Sequence, residues 1–102
     1  MAVVNTITIT KSGGTFTELA DMKTAFLTAM DDSDYEAHMA TLRAANSLVT
    51  EEAFDASTQT YTLTRTWDDA AYSTWNSAKS TDVATHKSKL ESLGYTTDSQ
   101  IT

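Results

Sequence analysis

The chain holds two histidines, His38 and His86, and an imidazole is the side chain whose ordinary pKa lies closest to neutral pH. They occupy matched positions. Ser33-Asp34 precedes His38 and Leu42 with the same spacing that Thr81-Asp82 keeps to His86 and Leu90. Each follows an apolar residue of a helical stripe by three positions (Tyr35 and Val83), which sets it near the edge of a buried helix face. His38 and His86 are therefore the candidate catalytic residues, as a general base or ligand in a pocket. The structural alternative is a partly buried imidazole hydrogen-bonded to the adjacent helix. It is favoured, because neither helix carries a supporting carboxylate–His triad or a metal spacing such as His-Glu-x-x-His.

The candidate ligand-binding residues are Thr62, Thr64, Arg65, Trp67 and Trp75. Trp67 and Trp75 stand close in sequence to Tyr61 and Tyr72. Such a group can line an aromatic pocket, although aromatic residues at strand and helix spacing more often form core. Arg65 shares the face of Tyr61 and Leu63, and either reaches out to solvent from the strand end or meets an acid inside a pocket. Glu51 and Glu52 are strand neighbours and point to opposite faces, so they do not share one site. Asp31, Asp32 and Asp34 lack the glycine and closing glutamate of a calcium loop, and helix capping suits them better. Gly13-Gly14 reads as a turn, since the Lys and Gly pattern of a phosphate loop is missing. With no cysteine in the chain, thiol catalysis, disulfides and cysteine metal sites are excluded. No metal and no cofactor are expected.

The elements that position these residues follow from periodicity. Val3 to Lys11 alternates, with Val3, Ile7 and Ile9 on one face and Thr6, Thr8 and Thr10 on the other, which predicts a half-buried strand. From Thr15 to Met30 the stripe Phe16, Leu19, Met22, Phe26, Leu27 and Met30 predicts a helix, with Thr15 and Glu18 as a capping box. Ser33 and Glu36 form a second capping box and open a helix that buries Tyr35, Met39 and Leu42. Residues 47–55 read as a strand. The short polar turn Ala56–Gln59 joins it to the clearest strand of the chain, where Tyr61, Leu63, Arg65 and Trp67 share a face opposite Thr60, Thr62, Thr64 and Thr66. Asp68-Asp69 starts a helix carrying Ala71, Tyr72, Trp75 and Ala78. Ser80 or Thr81 caps a further helix with Val83, Leu90 and Leu93 inward, and Gly94 suits a left-handed C-terminal cap. A terminal edge strand follows from Tyr95.

All 102 residues are expected in one domain with an internal pseudo-repeat of about 3–55 and 59–102, on the match of Thr6–Lys11 with Thr60–Arg65 and of the two histidine segments. The fold class predicted is α+β: a ferredoxin-like βαββαβ arrangement with an antiparallel sheet, helices on one face, and each crossover split into two helices. The net charge of −7 disfavours nucleic acid and anionic membrane surfaces as partners. No signal-peptide pattern and no apolar run of spanning length is present, so a cytoplasmic location is expected.

The strand Tyr61–Trp67 running directly into Asp68-Asp69-Ala70-Ala71-Tyr72-Ser73-Thr74-Trp75, with the opening Ile-Thr-Ile strand and the overall length, resembles the dimeric α+β barrel superfamily. Its ferredoxin-like subunits pair through their sheets, and many small marine bacterial and metagenomic members carry no assigned role. Characterised members include antibiotic-biosynthesis-type monooxygenases, small isomerases and haem-degrading enzymes. The resemblance implies a homodimer closing Thr-lined sheet faces over a cavity, non-catalytic or holding a small ligand. The alternative it implies is a cofactor-independent monooxygenase- or isomerase-like enzyme for a small aromatic or lactone substrate, using His38 or His86.

Overall fold

The computed structural model describes residues 2–101. Four strands and three helices follow in the order β1 (Ala2–Lys11), α1 (Leu19–Met30), α2 (Ser33–Ala44), β2 (Leu48–Asp55), β3 (Thr60–Asp68), α3 (Asp69–Ser92) and β4 (Tyr95–Ile101). The strands form one sheet in the order β2-β3-β1-β4, each neighbouring pair antiparallel. The chain is thus an α+β fold on an open antiparallel sheet.

Strand alternation decides which face is covered. Val3, Asn5, Ile7 and Ile9 of β1 lie opposite Trp67, Arg65, Leu63 and Tyr61 of β3, and Leu48, Thr50, Glu52 and Phe54 of β2 continue the same rows. This face meets the helices. Its core is Ile9, Tyr61, Trp67, Leu48 and Tyr95 from the sheet with Met22, Phe26, Met30, Tyr35, Met39, Trp75 and Leu90 from the helices. The other face carries Thr6, Thr8 and Thr10 against Thr64, Thr62 and Thr60.

Local chemistry sets the ends of the elements. The β2–β3 turn closes on Asp55, whose Oδ1 accepts from Ser57 N at 2.9 Å and from Ser57 Oγ at 2.6 Å. Gln59 then adopts a left-handed backbone (φ 54°). Its side chain clamps Phe16 from both sides: Oε1 accepts from Phe16 N at 2.8 Å and Nε2 donates to Phe16 O at 2.9 Å. That clamp explains a departure from the sequence reading. The first helix starts at Leu19 rather than Thr15, because the Phe16 backbone is bonded away from the helix axis, and Glu18 takes the N-cap position without a side-chain cap. Asp31 ends α1 in a left-handed conformation (φ 48°). The N-cap of α2 is Asp32 rather than Ser33, with Oδ1 accepting from Tyr35 N at 3.0 Å.

A second correction concerns the second crossover, which is one unbroken helix of 24 residues. Ser80 and Thr81 cap nothing; they lie in mid-helix. The buried stripe of α3 runs straight through the predicted break on Trp75, Lys79, Asp82, His86 and Leu90, of which the middle members are polar. Lys79 and Asp82 pair at 3.6 Å along it. A stripe that turns polar at its centre reads as an interruption in hydropathy but costs the helix nothing in spacing. Val83 and Leu93, expected inward, are 38% and 54% exposed. The helix ends as expected: Gly94 has φ 88° and its N–H donates to Glu91 O at 3.1 Å.

Candidate functional site

The three helices do not cover their face of the sheet evenly. An open cavity of about 450 Å³ lies between α1, α2 and α3 and the strands beneath them. Its apolar wall comes from Ile7, Ile9 and Leu63 of the sheet and Phe26, Leu27 and Met39 of the helices. Along α3 the cavity is lined both by buried Trp75, His86 and Leu90 and by the more exposed Asn76, Ser80, Val83 and Lys87. The exposure of Val83 is therefore exposure to this space.

Across the floor, one row of the sheet is polar. Thr50, Arg65 and Asn5 stand opposite one another on β2, β3 and β1, and all three line the cavity. Asn5 is only 4% exposed, and its Oδ1 accepts from Ser99 Oγ at 2.9 Å. Arg65 lies over the Trp75 ring, 5.8 Å from its centroid. Its Nε is buried without a hydrogen-bond partner, as are the indole N–H groups of Trp75 and Trp67. Unsatisfied buried donors are uncommon in folded proteins.

The next row toward the turn is closed upon itself. Glu52 takes Lys23 at 2.8 Å and the hydroxyl of Tyr61. Burial works to raise the Glu52 carboxyl, but the hydrogen bonds from Lys23 and Tyr61, with the charges of Lys23 and Arg43, outweigh it and hold the pKa below the ordinary glutamate range. Burial first, and then the bond to Glu52, push the Tyr61 hydroxyl far above its ordinary value. Tyr61 therefore stays protonated and donates to Glu52.

On the helix side His86 is 5% exposed. Its Nε2 stands 2.9 Å from Asp32 Oδ2, and the Tyr35 ring meets it edge-on at 4.6 Å between centroids. Asp32 thus does two things at once, capping α2 and tying it to α3. The bond to His86 and then the Tyr35 N–H hold the Asp32 carboxyl below its ordinary pKa.

The structure separates the sequence candidates. His86, Arg65 and Trp75 share the cavity. His38 is half-buried on α2 away from it, Trp67 lies beneath it against Trp75 at 4.9 Å, and Thr62 and Thr64 are on the opposite sheet face. Arg65 takes neither of its two expected courses, since it is half-buried and forms no ion pair among the described residues. No protein-family model, curated protein or solved structure matches this chain. The site is read from its own residues. Two of them escaped the sequence reading. Asn5 carried a signal, as a polar residue set between Val3 and Ile7 on the apolar face of the first strand. Asp32 was legible as a helix cap, but its bond to His86 carried no signal, because that partner is 54 residues away.

Among the described residues no three carboxylate or imidazole groups stand together as a metal site, and no helix is long and apolar enough to cross a membrane.

Proposed function

We propose that this protein binds a small, mostly apolar molecule in the cavity between its sheet and helices. The observation that carries this is the cavity itself: about 450 Å³, apolar-walled, with a few convergent polar groups on its floor, which is the usual make-up of a small-molecule site. Val83→Trp, at a half-open position on the cavity wall, fills the space without touching the core. Native mass spectrometry of fresh protein is expected to show extra mass that Val83→Trp abolishes. Retention of that mass by the filled variant would place the ligand elsewhere.

The working unit we infer is a homodimer of ferredoxin-like subunits joined through their Thr faces, as in the dimeric α+β barrels. Support comes from the strand order, in which β3 lies between β1 and β2 and β1 between β3 and β4, and from the helix-free face with half-buried threonines and an exposed Val49. Sedimentation at tens of micromolar is expected to give twice 11.1 kDa; a monomer there removes the barrel.

A second reading is favoured by one specific observation, the His86 ring on the cavity wall with its Nε2 held by Asp32. A carboxylate that fixes one ring nitrogen leaves the other to take a proton from a ligand. A cofactor-independent enzyme of the monooxygenase or isomerase kind would use His86 in this way. Turnover of phenolic or lactone substrates should then vanish in His86→Gln and survive in His38→Gln.

A further inference from the structure

We propose that the ligand carries a carboxylate, held by the guanidinium of Arg65 with the Asn5 amide and the Trp75 indole N–H beside it. This rests on the reading of the cavity as a ligand site and adds the chemistry of its occupant.

Three observations converge. The first is the set of groups left over on the floor. Arg65 makes no hydrogen bond or ion pair among the described residues, its Nε is buried without a partner, and the Trp75 indole N–H is buried and unpartnered as well. Asn5 gives its oxygen to Ser99 and keeps its amide hydrogens. All of these are donors, so the missing partner is an acceptor. An arginine fork presents parallel N–H groups that match the two oxygens of a carboxylate.

The second is charge. The chain has a net charge of −7 and only seven Lys and Arg residues. Four of these seven (Lys23, Arg43, Arg65 and Lys87) line the cavity, against three of the fourteen carboxylates. An acidic protein has thus gathered its cations around this one space, which attracts anions and focuses them inward.

The third is that the carboxylate on the same sheet face, Glu52, does not neutralise Arg65. Glu52 sits one same-face position along β2, opposite Leu63 rather than Arg65. It is already engaged by Lys23 at 2.8 Å and by Tyr61. The arginine is left for the ligand. The apolar wall above it, from Ile7 and Leu63 to Val83, suits an aromatic or short hydrocarbon tail.

The test compares 4-phenylbutyrate with its neutral isostere 4-phenylbutyramide by calorimetry on the intact protein. The acid is expected to bind at least about tenfold tighter than the amide, the scale of a charge-assisted pair. Arg65→Met should bring the acid down to the affinity of the amide and leave the amide unchanged, and Arg65→Lys, a charge without a fork, should fall between. Equal binding of acid and amide to the wild-type protein overturns the carboxylate and keeps the cavity. Binding of neither overturns both. The wild-type comparison decides by itself if an Arg65 variant does not fold.

Discussion

The two faces of the sheet are written in the same alternating strands and have opposite fates. On the helix face, β1 and β3 contribute Asn5, Ile7 and Ile9 opposite Arg65, Leu63 and Tyr61; on the other face the same strands contribute Thr6, Thr8 and Thr10 opposite Thr64, Thr62 and Thr60. The Thr face is self-consistent. Each hydroxyl can reach water or a neighbour, as Thr10 and Thr60 do at 3.0 Å, and nothing buried there lacks a partner among the described residues. The helix face is densest where Leu48 and Trp67 pair, both almost wholly buried, and hollow in the middle, where Arg65 and Trp75 hold unpartnered donors. Polar groups near water make no demand on their surroundings, whereas buried ones do. That is why the site is sought on the covered face and a second copy of the chain on the open one.

The largest contrast between the faces should come from Trp67→Ala. Trp67 is 1% exposed and packs on Trp75 and Tyr72 with centroid separations of 4.9 and 5.8 Å. Truncation should cost about 3–5 kcal/mol in denaturant unfolding. A loss below about 1 kcal/mol would mean that this end of the helix face is as loosely held as the cavity beside it.

A smaller effect is expected where the loop after β1 is fastened. Gln59→Ala removes both bonds to the Phe16 backbone and should cost about 1–2 kcal/mol. Gln59→Gly removes the same bonds but accepts the backbone angle of 54° freely, so it should be less destabilising than alanine. If the two variants are equally stable, the left-handed angle is not a constraint that side chains feel.

How far the sequence disclosed this can be judged at particular residues. Periodicity of two placed both central strands on the correct faces, because Thr and the apolar residues separate cleanly in them. The turn Ala56–Gln59, the Gly94 cap and the first helical stripe were legible for the same reason: each is a local signal. What failed was non-local or polar. The N-terminal boundary of α1 is set by a glutamine 43 residues away from Phe16. The continuity of α3 is carried by Lys79, Asp82 and His86, whose polarity hid the stripe. The equivalence drawn between His38 and His86 rested on spacing alone, yet the structure sends only His86 to the cavity wall, because α2 faces that space with Tyr35, Glu36, Met39 and Arg43 instead. The hollow itself has no signature in sequence, since a cavity is an absence of packing.

The Asp32–His86 link offers a milder perturbation of the helix face. Its carboxyl is held below the ordinary aspartate pKa by His86 and by the Tyr35 N–H. The folded chain therefore takes up this proton less readily than the unfolded chain. The resulting stabilisation is present above the unfolded-state aspartate pKa and fades as pH falls through the depressed folded value. Asp32→Asn should make the acid limb of a stability profile shallower. An unaltered acid limb would show that the bond holds no differential protonation.

The smallest effect is expected at the centre of the open face, and it separates two physical situations there. Thr62 pairs across the sheet with Thr8, and Thr62→Val keeps its branching and volume while removing the hydroxyl. On a sheet face left to water, such a change should move unfolding free energy by less than about 0.5 kcal/mol, at any protein concentration. On a face closed against a second copy, the hydroxyl is desolvated in the dimer alone, so its removal changes association and makes the shift depend on concentration. Thermal unfolding of the wild type and of Thr62→Val across a hundredfold range of concentration therefore distinguishes the two. Parallel, concentration-independent curves would assign the threonines to solvent and leave the helix-face cavity complete within a single chain.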